Sequence, residues 1–177
     1  MNTRTIRTSF ALAAVGALAL AAAPAAAQFE EEDFELRLDG FAQTDVNVDS
    51  TNIAVSGSLG YFFTDQFEAG VRQTLSYSDV GASNTNGGTA VFANYHFGDS
   101  TSQLQPFIGA SIGYNYGDSI TDTFFAGPEG GVKYFFDEEW FLFGQVEYQF
   151  FFEDAGDADE AFDDGQFLFR LGLGVLL

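Results

Sequence analysis

From residue 34 to the end of the chain, apolar and polar residues alternate with a period of two. Such alternation is typical of β-strands that have one oily face and one polar face. Short clusters of Gly, Asp, Asn, Ser and Thr separate the alternating segments, as turns between strands would. We predict eight strands, at residues 34–46, 52–63, 67–79, 89–98, 105–117, 122–136, 140–153 and 165–177.

The apolar residues set the phase of each strand. In the last segment, Phe167, Leu171 and Val175 share one parity, and Arg170 and Gly174 take the other. The fifth segment has the same form, because small residues (Gly109, Ser111, Gly113) alternate with Ile108, Ala110 and Ile112. Small residues suit the inside of a narrow barrel. We therefore assign the apolar parity to the outward face.

With the phase set from apolar residues alone, the charged residues within the strands fall on the inward face. They are Glu35, Arg37, Asp39, Glu68, Arg72, Glu129, Lys133, Glu147 and Arg170. A cation facing the bilayer midplane costs about 2–4 kcal/mol, so a transmembrane barrel must enclose its charges, whereas a soluble barrel shows the reverse. We predict an interior ion-pair network, because burying these ions unpaired costs several kcal/mol each. Solvated charges lining a wet channel are the alternative.

The two ends of the predicted strands carry aromatic residues. Those toward one end are Tyr61, Phe63, Phe67, Tyr95, Phe97, Tyr134, Phe136 and Trp140, and those toward the other are Tyr77, Tyr114, Tyr116, Tyr148 and Phe152. Aromatic girdles are typical of the two membrane interfaces. The pattern predicts an all-β fold, an eight-stranded antiparallel up-and-down transmembrane β-barrel. A soluble ligand-binding barrel is the alternative, and it would stay in solution without detergent.

The first 27 residues have the pattern of a cleaved secretory signal peptide. Arg4 and Arg7 precede an apolar run, which ends in small alanines at 25–27. Residues 28–177 then form one barrel domain, and no apolar run in it is long enough for a membrane helix. The chain has 26 acidic and 6 basic residues, so nucleic acid is not expected as a partner. With no cysteine, the domain gains no rigidity from disulfides.

The Pro-Phe-Ile-Gly-Ala-Ser-Ile-Gly-Tyr segment at 106–114 and Gly-Gly-Val-Lys-Tyr-Phe at 130–135 complete a resemblance. Over its whole mature length the chain resembles the OmpA-type and OmpX-type small outer-membrane barrels. The resemblance implies location in the cell outer membrane, among lipopolysaccharide and other lipids. It also implies insertion by the barrel-assembly machinery, which reads a C-terminal strand that usually ends in Phe or Trp; here the strand ends in Leu177. We expect a monomer without a peptidoglycan-binding domain after Leu177.

Two features could carry chemistry. The stretch 153–164 holds seven carboxylates, but its spacing fails the EF-hand pattern at Ala161, so we expect a solvated acidic loop and no metal. His96 is the single histidine, and lipid A-modifying barrels use a histidine near the membrane surface. We predict that His96 is inward, near the tight-turn end, and structural. No lipase elbow or phosphate loop is present, so we expect neither enzyme activity nor a cofactor.

Two residues fit their predicted strands poorly. Pro128 lies mid-strand and cannot donate a ladder hydrogen bond, which predicts a β-bulge. Gln73 falls on the outward parity. The sequence favours a non-enzymatic outer-membrane barrel with a structural or surface-interaction role, with its extracellular ligand open. A small porin-like channel is the alternative, and a lipid A-modifying enzyme is a third.

Overall fold

The computed structural model describes residues 30–44, 51–78, 84–99, 102–118, 122–152 and 165–177. In it the chain forms a closed barrel of eight strands, each antiparallel to the next. The strands are β1 (Phe34–Thr44), β2 (Thr51–Thr64), β3 (Phe67–Ser78), β4 (Asn84–His96), β5 (Leu104–Gly117), β6 (Thr123–Phe135), β7 (Trp140–Phe152) and β8 (Gln166–Leu176). None of the described residues belongs to a helix of the length and hydropathy needed to cross a membrane. The signal peptide and the acidic loop predicted above lie outside the described residues.

The predicted strand boundaries hold within a few residues except at the start of β4. This strand begins at Asn84, five residues before the predicted position 89, because Asn84–Gly88 continue the ladder with β3 as far as Ser78. The sequence of this stretch is polar and glycine-rich, which is typical of a turn. Gly87 lies under the ring of Tyr116 on β5, where a β-carbon would collide with that ring. Glycine therefore allows close packing here.

The barrel has two different ends. Short connections join β2 to β3, β4 to β5 and β6 to β7, and we call this end, which also holds the start of β1 and the end of β8, the short-turn end. The opposite end, with the connections 45–50, 79–83, 118–122 and 153–165, is the long-loop end. Short turns are periplasmic in transmembrane barrels.

The β-bulge predicted at Pro128 is wrong. Pro128 pairs with Ala110 of β5 in an unbroken register. Toward β7, the ladder omits Gly127 and Pro128 and resumes in the same register, so no residue is inserted. Proline has no N–H to donate, and the structure accommodates this by a local loss of pairing between β6 and β7. The register shift that the structure does contain lies at Phe62 and Thr64, between β2 and β3.

The outward face is apolar. Leu38, Val71, Ile108 and Leu142 are examples of outward side chains that are half or more exposed. Rings cluster near both ends, as in Phe34–Tyr61–Phe63–Phe67 at the short-turn end and Tyr114–Phe124–Phe152 at the long-loop end. Most of these residues were predicted for the aromatic girdles, but Phe34 and Phe124 were not.

Gln73 is outward, as its parity predicts, and its side chain is hydrogen-bonded there. Its Nε2 donates to the Tyr116 hydroxyl at 2.9 Å and to the Thr74 carbonyl at 3.1 Å. Its Oε1 accepts a 2.7 Å hydrogen bond from the Thr89 hydroxyl. Polar groups in hydrocarbon must be satisfied within the protein, and this cluster meets that requirement for the glutamine.

Candidate functional site in the barrel lumen

The lumen is filled by phenylalanines that lie over glycines on the neighbouring strand. A β-carbon added to the glycine would collide with the phenylalanine ring in five cross-strand pairs: Gly70–Phe92, Gly113–Phe125, Gly131–Phe107, Gly172–Phe143 and Gly174–Phe141. Each glycine makes room for one ring. Phe62, Phe135, Phe141, Phe143 and Leu176 form a buried cluster at the short-turn end.

Four charged side chains form what we call the short-turn layer: Glu35, Arg37, Glu68 and Lys133. Lys133 Nζ reaches across the lumen to Glu35 at 2.5 Å and to Glu68 at 3.2 Å. Arg37 bridges the same two carboxylates from the other side, at 3.1 Å and 3.3 Å. All four are at most 1% exposed, so two cations and two carboxylates balance in a site shielded from solvent.

Aromatic rings surround this layer. The Lys133 ammonium lies 5.3–5.6 Å from the ring centres of Phe62, Phe107 and Phe141. A cation over an aromatic face is attracted by the ring quadrupole, more so where water is excluded. His96 also lies here, 1% exposed, with its Nε2 3.6 Å from Glu68. It is inward and near the short-turn end, as predicted.

Five further charged side chains form the long-loop layer: Asp39, Arg72, Glu129, Glu147 and Arg170. Arg72 contacts Glu129 and Glu147, each at 3.0 Å. Arg170 contacts Glu147 at 3.3 Å and Asp39 at 3.4 Å. Two cations face three carboxylates, which leaves one formal negative charge. The ring of Phe92 lies between the layers, with Arg37 and Arg72 at 4.7 Å and 5.2 Å from its centre.

Glu147 is the hub of the long-loop layer. Its Oε2 accepts from Arg72 and Arg170. Its Oε1 accepts from the Ser111 hydroxyl at 2.9 Å and from Gln149 Nε2 at 2.7 Å. Four donors from four strands thus converge on one buried carboxylate. A fully satisfied polar network of this kind holds its strands in one arrangement.

The lumen is less tightly packed toward the long-loop end. A cavity of about 100 Å³ there is lined by Arg72, Thr74, Gly88, Ala90, Asn115, Phe125, Gln149, Gln166, Leu168 and Arg170. This is well above the roughly 10–15 Å³ that one water molecule needs, so the cavity has room for water. The two halves of the lumen therefore differ, with aromatic rings at the short-turn end and a small polar cavity at the other.

The structure brings all nine charged residues singled out in the sequence into these two layers. What sequence reasoning missed is the role of the inward phenylalanines, above all Phe92 between the layers and Phe62, Phe135 and Phe141 in the cluster. A usable signal was present, since an inward phenylalanine directly opposite an inward glycine is visible once the register is known. Among the described residues, no three His, Asp or Glu side chains are grouped to hold a metal ion.

Comparison with known proteins gives consistent results. The N-terminal β-barrel domain of Pseudomonas aeruginosa OprF matches with a TM-score of 0.55 at 20% identity, covering 83% of this chain and 98% of that one. The outer membrane protein OprG from Pseudomonas aeruginosa matches with a TM-score of 0.58 at 13% identity, covering 85% and 98%. These likenesses establish the fold. A sequence profile of the outer membrane protein beta-barrel domain matches residues 10–175, nearly the whole chain. The chain therefore belongs to the outer membrane protein beta-barrel domain family.

Proposed function

We propose that this protein is a non-conducting, non-enzymatic outer-membrane barrel whose polar lumen serves stability and whose long loops serve contacts at the cell surface. The observation that carries the proposal is the closed short-turn half of the lumen. There Phe62, Phe135 and Phe141 are completely buried, and Lys133 is held between two carboxylates. Passage of an ion requires both parts to move apart.

The energetics support a lumen that stays closed. Parting Lys133 from Glu35 and Glu68 leaves a buried charge uncompensated, which typically costs about 3–5 kcal/mol. The aromatic cluster adds the loss of ring packing and of the cation–π contacts around the ammonium. A conducting state is therefore expected to be rare in the native chain.

The position of His96 argues against lipid A chemistry. Such substrates lie in the outer leaflet, and His96 is buried at the short-turn end between the rings of Phe62 and Phe107. A catalytic base must come within hydrogen-bond reach of the proton that it abstracts. A lipid in the outer leaflet cannot approach His96 in this arrangement.

A small porin-like channel is the second candidate, and two observations favour it. One is the cavity at the long-loop end. The other is that the buried side-chain amides of Asn94 and Gln145 make no hydrogen bonds within the described residues. Buried amides of this kind commonly bind internal water. A continuous water path would still have to cross the aromatic cluster.

Single-channel recording in a planar bilayer separates the two candidates. The native mature chain is compared with Phe141→Ala, which opens the aromatic cluster, and with Arg72→Gln, which disturbs the long-loop layer. Leu142→Ala is the matched control, because Leu142 is the next residue of β7 and faces outward, 50% exposed.

We expect the native chain and Leu142→Ala to be silent and Phe141→Ala to show openings. Arg72→Gln also tests whether the long-loop layer contributes to closure. A steady current from the native chain would reject the proposal in favour of the channel. If the native chain and all three variants are silent, more than the aromatic cluster closes the lumen, and the channel is still rejected.

A further inference from the structure

The seam between β1 and β8 is paired over only half of its length. The ladder runs from Glu35↔Leu176 to Asp39↔Gly172, five pairs, whereas every other neighbouring pair of strands has ten to twelve. In the same register Gly40 would face Leu171 and Thr44 would face Phe167. Within the described residues no ladder pair joins these stretches. The pairing of β1 with β8 therefore ends at Asp39. We call the unpaired part of this seam, toward the long-loop end, the fork.

Both branches of the fork remain regular strands on their other side. β1 pairs with β2 as far as Thr44↔Thr51. β8 pairs with β7 as far as Gln149↔Gln166. Each branch thus presents one edge of unpaired backbone N–H and C=O groups, a template for pairing with another strand.

The unpaired half of β8 is also the most exposed apolar part of the barrel wall. Phe167, Phe169 and Leu171 are 66%, 81% and 59% exposed, against at most 57% for large hydrophobic side chains on the other seven described strands. Phe167 packs on Tyr148 at the long-loop girdle, so the residues below it lie at the depth of hydrocarbon. No water is available at that depth to satisfy an open strand edge.

The directions of the strands restrict what can fill the fork. β1 and β8 are antiparallel, so one inserted strand would be antiparallel to one branch and parallel to the other. A second copy meets both requirements at once. With a two-fold axis along the membrane normal, β1 of each copy lies antiparallel to β8 of the other, and both contacts are the same.

We propose that two copies of this chain associate in the membrane by exchanging these edges. Residues 40–44 of β1 in each copy pair with 167–171 of β8 in the other, continuing the register that closes each barrel at its short-turn end. The contact buries Phe169 and Leu171 and satisfies both sets of backbone groups. It departs from the monomer expected from the sequence, where the fork was not visible.

Cysteine cross-linking tests the exchange, since the native chain has no cysteine. The variants Ala42→Cys and Phe169→Cys occupy positions that face each other if the register continues past the fork. They are purified separately, refolded together into phospholipid vesicles at low protein density, and oxidised. The matched control is the pair Leu38→Cys and Leu173→Cys, two directly paired residues of the closed half of the same seam. Each double variant is run beside the mixtures.

We expect a product of twice the monomer mass from the Ala42→Cys and Phe169→Cys mixture and none from the control mixture. Linkage only within single chains of the Ala42→Cys/Phe169→Cys double variant would mean that each seam closes on itself and would overturn the proposal. Equal linkage in both mixtures, which marks random collision, or no linkage at all would overturn it too. Sedimentation equilibrium of the unsubstituted chain in lipid-containing micelles gives a second measurement, and a monomer at every concentration contradicts the exchange.

Discussion

Replacing Glu147 by glutamine should destabilise the barrel more than any other neutralisation of a single carboxylate in the long-loop layer. The carboxylate accepts from four donors, Arg72, Arg170, Ser111 and Gln149. Glutamine has nearly the same shape but only one acceptor oxygen. If that oxygen keeps Ser111 and Gln149, the new NH₂ group faces two guanidinium donors.

The magnitude follows from burial. Glu147 is fully buried, and both arginines keep their charge when the carboxylate is lost. Removing one member of a buried ion pair typically costs about 3–5 kcal/mol. Glu129→Gln should cost less, because both Glu129 oxygens bind the single Arg72 Nη2, so its loss affects one arginine instead of two.

Equilibrium unfolding in urea, with the protein in lipid vesicles, measures these differences. Trp140 is the single tryptophan and lies outward at the short-turn end, so its fluorescence reports whether the barrel is inserted. Glu31→Gln, at an exposed position, is the control, and such surface changes usually stay within about 0.5 kcal/mol. The role of Glu147 as a hub would be refuted if the free energy of unfolding of Glu147→Gln stayed within about 1 kcal/mol of the native value. Such a difference is less than the cost of one charged hydrogen bond.

Three further predictions concern the ion pairs of the lumen, its ring packing and the acidic stretch 153–164. Arg170→Leu should lower the thermal unfolding temperature in a heat-dependent gel-mobility assay, because it removes contacts to Glu147, Asp39 and Ser56; an unchanged temperature would contradict an interior network. Gly174→Ala should cost about 1–3 kcal/mol in urea unfolding because its methyl group meets the Phe141 ring, whereas Gly144→Ala, whose β-carbon would meet Leu171 Cδ1 at an ordinary contact distance of 4.0 Å, should be nearly neutral. Calorimetric titration with calcium or magnesium should show no binding below the millimolar range, since the acidic stretch 153–164 lacks ligand spacing; tighter binding would restore the metal site.

The sequence was sufficient for the strands and for which way their side chains point. Alternation with a period of two leaves little freedom, and a shift by one residue would turn Arg72 and Arg170 toward lipid at a cost of several kcal/mol. The same reasoning correctly assigned His96 to the inside. It could not extend β4 back to Asn84, because pairing with β3 overrides the turn propensity of a polar, glycine-rich stretch.

The partners inside the lumen were beyond the sequence. Lys133 meets Glu35 across the barrel, 98 residues away in the chain, and this depends on how far each strand is staggered against the next. The stagger also decides that Phe92 lies between two arginines. At Pro128 the reasoning assumed an inserted residue, whereas a local loss of pairing with β7 was enough.

The five phenylalanine–glycine pairs have a consequence for how this barrel can change over evolutionary time. Each pair occupies one volume shared by two strands, so enlarging the glycine alone overfills it and shrinking the phenylalanine alone empties it. Exchanging the two residues keeps the volume constant, but at four of these glycines (Gly70, Gly113, Gly131 and Gly172) a β-carbon would also meet a backbone carbonyl oxygen of a neighbouring strand. At Gly174 the nearest atoms all belong to the Phe141 ring. The Gly174–Phe141 pair should therefore drift as a coupled pair, with the ring moving to the neighbouring strand while the glycine moves the other way, whereas an alignment of related chains should show the other four glycines retained.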